Sequence, residues 1–475
     1  MFRGSRLYVA VLAAAAAALA WQLFIPPVTG LADQGDFVRT LFRFGYSPQH
    51  GRSLEYFFVE PKYVPDSHFR SPYWEQANSE YLFVGTAILL NKLLSKDGNL
   101  DITVAGIVHL LAFLAVFARL LWVTRRVRGH VLLWVAALIA LTDAGYAVYF
   151  NSWYAEPASC FFFLLLLAEA LEIGRDTAIT PARLVRWSLW AFLWIFAKPQ
   201  NAPIGLLLGL FTLRLAMWTH AWRTRAVAVA GAAALLGCAI YNVAAMPLYG
   251  RMANTYGVIF SGILAESKDP AADLRALGLD PKLAAYAGTG AWTPRTNYPA
   301  MVYSGELARV NTFAVVRFYL FRPVRMWRRL HNLLPKITLV RPPYGNFEPA
   351  AGLPPSTQSH AFSLWSGFHE HVLPRVSKWI VFALIGWPLW CAWSWYRAPD
   401  RIGRRRAELL ILLPIACLGA LLSAVYGDAF DFIKHQYLFN LLLDAALLYT
   451  AVRAWQWIAE RRQRGAPSEQ RLLVT

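Results

Sequence analysis

Charge is scarce in this chain of 475 residues: Asp, Glu, Lys and Arg together make up only 16% of it, against about 25% in chains that keep themselves in water. A hydrophobic content of 57% cannot be screened by so thin a polar surface, so much of the solvent must be lipid. Acid is scarcer than base, 28 residues against 46, for a formal charge of +18. Nucleic acid is not read as the partner, because the basic residues lie in short clusters between apolar runs, as in cytoplasmic loops of membrane proteins. Cysteine is also rare. Cys160, Cys238, Cys391 and Cys417 all lie in apolar stretches without a CxxC or metal spacing, and are read as packing residues. His369-Glu370-His371 lacks the HExxH spacing that sets two imidazoles on one helical face, and Ser267 to Gly290 lacks Walker spacing. Zinc and nucleotide chemistry are therefore not expected.

Long apolar runs and aromatics are abundant, with 20 Trp, 21 Tyr and 29 Phe. A crossing helix needs about 20 apolar residues, and basic loops orient it. The N-terminal run resembles a signal peptide, but Trp21 to Pro27 is bulky and has no small-x-small site, so it is read as the first span. The remaining spans are expected near 101–123, 131–150, 156–173, a hairpin broken at Pro199 and Pro203, 226–246, 377–396, 407–426 and 436–457. The run from Tyr81 is too short to cross and is assigned to a juxtamembrane helix. This gives an all-α polytopic membrane protein with about ten transmembrane helices and both termini cytoplasmic, in a bacterial cytoplasmic membrane. The expected organisation is an N-terminal transmembrane module over 1–247 with an acidic first outer loop (27–80), an extracytoplasmic segment over 248–376, and a three-helix module with a cytoplasmic tail over 377–475.

Acidic residues near a membrane tend to mark function. GLADQGDFVR sets Asp33 and Asp36 at the outer mouth of the first helix, with Arg39 one turn on. Asp33 also suits a helix cap. Glu80, Glu156 in NSWYAEP, Lys198 in KPQNAP, and Asp428, Asp431, Lys434 and His435 in YGDAFDFIKHQY open on the same predicted face and are candidates for binding substrate. Each alone also fits a helix-end charge. The stretch from Arg317 to Arg341 holds Arg317, Arg322, Arg325, Arg328, Arg329, Lys336 and Arg341 without an acidic residue, a pattern suited to membrane lipid and its phosphates.

Outside the cell an activated sugar donor must arrive in the lipid, on a polyprenyl phosphate. Phosphate leaves without being protonated, so transfer needs one general base on the acceptor hydroxyl and positive charge around the leaving group. Asp36 or Asp33 can supply the base; Lys198, Lys434, His435 and the arginines can face the phosphate.

The first helix followed by an acidic outer loop, the juxtamembrane helix and the broken hairpin resemble the GT-C superfamily of membrane glycosyltransferases. ADQGDFVR is similar to the D-E-x-R-Y stretch of the aminoarabinose and mannosyl transferases, with Asp36 at the catalytic aspartate and Arg39 at the arginine. Phe37 stands where that stretch has Glu, which leaves a divalent metal open. ADQGDF, YFNSWYAEP, AKPQNAP, GVIFSGILAESKDP with LGLDPKLAAYAGTG, and GDAFDFIKHQYLFN resemble bacterial hexose transferases of S-layer and surface-glycan assembly, in similar order through most of the chain. The resemblance implies a hexosyltransferase with Asp36 as base, a polyprenyl-phosphate sugar donor and a glycan or glycolipid acceptor. Two rivals stand beside it. A surface-polysaccharide polymerase or ligase would rely on outer Arg and His, and a transporter would need polar residues at mid-membrane, where the predicted spans are largely apolar.

Overall fold

A computed structural model describes residues 2–49, 57–66, 76–293, 296, 298–427 and 431–465. Its main helices are α1 (Phe2–Phe24), α2 (Tyr81–Leu94), α3 (Ile102–Thr124), α4 (His130–Leu141), α5 (Glu156–Ile173), α6 (Pro181–Ala197), α7 (Ala202–Ala216), α8 (Trp222–Ala244), α9 (Leu373–Arg397), α10 (Arg401–Gly427) and α11 (Tyr437–Gly465). The protein is an all-α polytopic membrane protein, and every predicted span falls on one of these helices. Six of them, α1, α3, α8, α9, α10 and α11, are long and apolar enough to cross alone; α4 with Ala144–Asn151 makes a seventh, bent by 54°. By that measure the count is six or seven, not the predicted ten, because α6 and α7 have 17 and 15 residues and α5 carries Glu156, Glu169 and Glu172.

Local chemistry sets the ends. Asp101 caps α3 by accepting from Thr103 N, and Thr180 caps α6 ahead of Pro181, whose missing N–H costs nothing at that position. Pro199 and Pro203 break the hairpin between α6 and α7 as expected. Helix α2 is the expected 14-residue element, packing Val84, Ala87 and Ile88 inward and leaving Leu89 and Leu93 exposed. The bend after α4 has a cause the sequence reading missed. Asp143 accepts from Gly145 N at 2.8 Å and from Trp365 N and Ser366 N at 2.8 and 3.0 Å, so it ends one helix and ties its break to a distant one.

The span interiors are less apolar than expected, since His109, Asp143 and Asp444 lie buried within them. All three are hydrogen-bonded inside the protein, as burial requires. Part of the predicted first outer loop forms a small antiparallel sheet, Tyr46–Pro48 with Lys62–Pro65 and Lys62–Pro65 with Leu100–Asp101. The segment after α8 is divided: Met252 to Tyr319 forms its own apolar cluster, whereas Leu330, Leu334, Ile337 and Tyr344 join the core of the bundle.

Candidate active site

The first loop leaves α1 under tight restraint. Asn151 Nδ2 donates to Leu23 O at 2.9 Å and Thr29 O at 2.8 Å, and Gly30 N and Ala32 N donate to the backbone of Asn346 and Gly345. The Tyr154 hydroxyl accepts from Gln34 N and donates to Ala32 O, each at 2.9 Å. Gly106 lets α3 approach Asn151 where a Cβ would collide with the amide oxygen. Asn151, Tyr154 and Asn346 are residues that sequence reasoning missed as site-builders; the quoted NSWYAEP motif contained the first two, but nothing in its spacing says which backbone they hold.

On this framed loop the two aspartates part ways. Oδ1 of Asp33 accepts from Gly35 N at 2.7 Å and Phe37 N at 3.1 Å, so it folds the turn. Burial raises its carboxyl to about 6, against the pull of those two N–H groups. Asp36 faces cations, with Arg39 Nε at 3.2 Å and Lys434 Nζ at 2.8 Å. Burial would raise this carboxyl too, but Arg39 and Lys434 outweigh it and hold it well below the usual carboxylate range. Lys434 also meets Asp431 at 2.7 Å, and Tyr344 donates to Asp431 from the other side. Burial pulls the Lys434 ammonium down, but Asp36 and Asp431 push it well above the ordinary lysine value.

Asp36 and Arg39 form one wall of a cleft of about 670 Å³, counting its open mouth. Tyr154, Gln76 and Asn242 contribute to the lining, and Glu156 and Lys198 stand in it as an ion pair at 2.5 Å. Of the candidates named from sequence, Asp36, Arg39, Asp431 and Lys434 are therefore in direct contact, and Glu156 and Lys198 share their cleft. Glu80 is elsewhere: fully buried, it pairs with His109 at 2.7 Å and accepts from Ala158 N at 3.0 Å, bracing α3 against α5. His435 neighbours the cluster in sequence, and its carbonyl receives Gln200 Nε2 at 2.7 Å. Asp428 lies outside the described residues.

The arginine-rich segment is not free of acid in three dimensions. Arg325 pairs with Asp273 at 2.5 Å, Arg329 with Glu266 at 3.0 Å, and Arg341 with Glu370. No sequence window joins these partners, which explains why the segment reads as uniformly basic. Between Asp36 and Asp431 the Lys434 ammonium fills the position a divalent ion would need, and among the described residues no group of three or more His, Cys, Asp or Glu gathers to hold one. The residues present do not fit a metal centre there.

Among solved structures, the archaeal oligosaccharyltransferase AglB from Archaeoglobus fulgidus, in complex with an inhibitory peptide and a dolichol-phosphate, is 14% identical at a TM-score of 0.38, covering 98% of this chain and 53% of that one. The Archaeoglobus fulgidus oligosaccharyltransferase tethered to an acceptor peptide is likewise 14% identical at a TM-score of 0.38, covering 94% of this chain and 50% of that one. Its apo form gives 14% and 0.37, covering 96% and 52%. The chain thus spans about half the length of these structures. No curated protein matches the sequence. The sequence model of the YfdI N-terminal transmembrane domain matches residues 3–472, and the chain belongs to that family.

Proposed function

We propose that the protein is a membrane glycosyltransferase that moves a sugar, a hexose, from a polyprenyl-phosphate donor to a cell-surface glycan or lipid-linked acceptor on the extracytoplasmic side. The observation that carries this reading is an ionised Asp36 at the wall of a cleft, flanked by the Lys434 and Arg39 cations. In the proposed reaction the acceptor hydroxyl gives its proton to Asp36 and its oxygen attacks the anomeric carbon. The bond from that carbon to the phosphate oxygen breaks, and its electron pair leaves with the phosphate.

A carboxylate gripped by two cations is a weak base, which constrains the mechanism. An incoming phosphate competes for Lys434 and Arg39, and as they turn toward it the Asp36 carboxylate loses its counter-charge and becomes more basic. Donor binding and base activation are then one event. Lys198 on the same cleft adds positive charge for the leaving phosphate. Asp33, engaged with two backbone N–H groups, is assigned to shaping the loop and not to chemistry. The polymerase or ligase reading loses support, because Arg325, Arg329 and Arg341 are neutralised by carboxylates.

The test is the surface-glycan composition of a strain lacking the gene, complemented with wild type, Asp36→Asn or Asp33→Asn at matched membrane expression. Wild type and Asp33→Asn are expected to restore a missing sugar and Asp36→Asn to fail. Full complementation by Asp36→Asn would remove Asp36 as base.

A further inference from the structure

Helix α3 begins beside the sheet of the first loop and α5 begins at Glu156 in the cleft, so their far ends, Thr124 and Ile173, mark the opposite end of the bundle. There α3, α4, α5, α10 and α11 part around a second cavity of about 1900 Å³, counting its open mouth. Its wall is largely aliphatic, and the one acidic side chain in its lining is Asp444, at the deep end, already taken by His369, Tyr146 and Trp365. Its rim holds Arg126, Arg128, Arg175, Arg406 and Arg453.

The nearby acids do not answer these arginines. Glu172 is engaged with Arg119 and Arg183, and Asp176 with Arg183. Arg175 and Arg406 each donate to a helix-end carbonyl, Val123 O and Gly174 O, and Arg126 and Arg128 have no ion pair among the described residues. Burial, and next the charge of Arg406, depress the Arg175 guanidinium below its usual value, with Glu172 opposing them. The rim is a cation cluster short of anions, above an apolar hole that water fills poorly.

We propose that this cavity is a binding site for an anionic phospholipid, its phosphate on the arginine rim and its acyl chains in the aliphatic interior. A soluble phosphate would satisfy the rim and leave the interior empty. A neutral lipid would fill the interior and leave the rim unpaired. Basic pockets between transmembrane helices take anionic headgroups in this way, and guanidinium matches phosphate geometry. The inference does not depend on the Asp36 reading, since the two cavities lie at opposite ends of the bundle.

The experiment is native mass spectrometry of the full chain released from nanodiscs of phosphatidylglycerol or phosphatidylcholine. Retained phosphatidylglycerol and little phosphatidylcholine are expected. Arg126→Gln with Arg128→Gln, at exposed positions that cap nothing, is expected to lower retention about tenfold or more. Ala445→Trp, which fills the cavity, is expected to lower it with the rim intact, in protein whose melting temperature shows it folded. Excess inorganic phosphate is expected not to displace the lipid. Equal retention of both lipids, indifference to both variants, or displacement by inorganic phosphate would each overturn the proposal.

Discussion

Two polar clusters in this molecule use the same pairing and differ in what surrounds it. At the cleft, Asp36 meets Lys434 at 2.8 Å with its side chain 20% exposed. Inside the bundle, Asp444 meets His369 at 2.8 Å at 3% exposure. Asp444 also accepts from Tyr146 at 2.6 Å and Trp365 at 2.9 Å, and the His369 ring faces Thr338 O on its other side. Both His369 nitrogens thus meet acceptors, the arrangement of an imidazolium. That cluster is closed: every partner is fixed, and nothing can enter without breaking it. The Asp36 cluster shares one lysine between two carboxylates beside open space, so its cation can be drawn away by a ligand. A closed ion pair holds a frame together, and an open one can exchange partners.

Breaking the open cluster should cost activity and spare the fold. Asp36→Asn is expected to lower turnover by roughly 10²–10⁴-fold, the span of a general base, with unchanged expression and melting temperature; a transfer assay on purified protein with a lipid-linked sugar checks it. Lys434→Gln comes next. It leaves Asp36 and Asp431 facing each other without a shared cation, so the prediction is weaker donor binding, read as a raised KM, with partial recovery in Lys434→Arg.

Breaking the closed cluster should do the reverse. Asp444→Ala strands His369, Tyr146 and Trp365, and the loss of one partner from a buried pair costs about 3–5 kcal/mol. Poor yield and a lowered melting temperature are expected, with near-normal turnover per folded molecule. Burial lowers the His369 imidazole, but Asp444 and Thr338 outweigh it and raise it above its usual 6.5. A raised basic group stabilises fully below its unfolded value and loses that contribution as pH rises through the folded one. Wild-type stability should therefore decline on the alkaline side of neutrality, and Asp444→Ala should flatten that limb. An Asp444→Ala protein that melts normally but turns over slowly would erase the distinction between the clusters.

How far the sequence foretells this depends on the range of the forces involved. The helices were legible because hydropathy and proline act locally, and the break at Pro199 and the short α2 fall where those rules put them. Asp36 and Lys434 were legible as candidates because charge at a membrane boundary stands out, but their contact joins residues 398 apart. The pairing of Arg325, Arg329 and Arg341 with acids was hidden for the same reason. Glu80 shows the opposite failure: a carboxylate at a helix start looks outward-facing in sequence, and only packing of α3 on α5 turns it inward to His109. Asp143 and Asp444 escaped notice because a single acid barely dents the mean hydropathy of a long apolar run.

The smallest expected effect is the sharpest test of the comparison, because Asp33 stands three residues from Asp36 on the same loop. Both its backbone bonds end on one oxygen, Oδ1. An asparagine side chain keeps that oxygen as an acceptor, so Asp33→Asn retains the turn and removes only the charge. Burial raises the Asp33 carboxyl to about 6 from an ordinary 3.8. Between those values the folded state holds a proton that the unfolded state has lost, so this group makes wild-type stability fall as pH rises through that window. Asp33→Asn should abolish that component, leaving melting temperature flatter between those pH values and slightly higher at neutral pH. Turnover should change by no more than a few-fold, because removing the Asp33 charge perturbs Asp36 only through space. If Asp33→Asn instead matched the loss in Asp36→Asn while its melting curve stayed normal, the base would have to be reassigned to the carboxylate with the higher pKa.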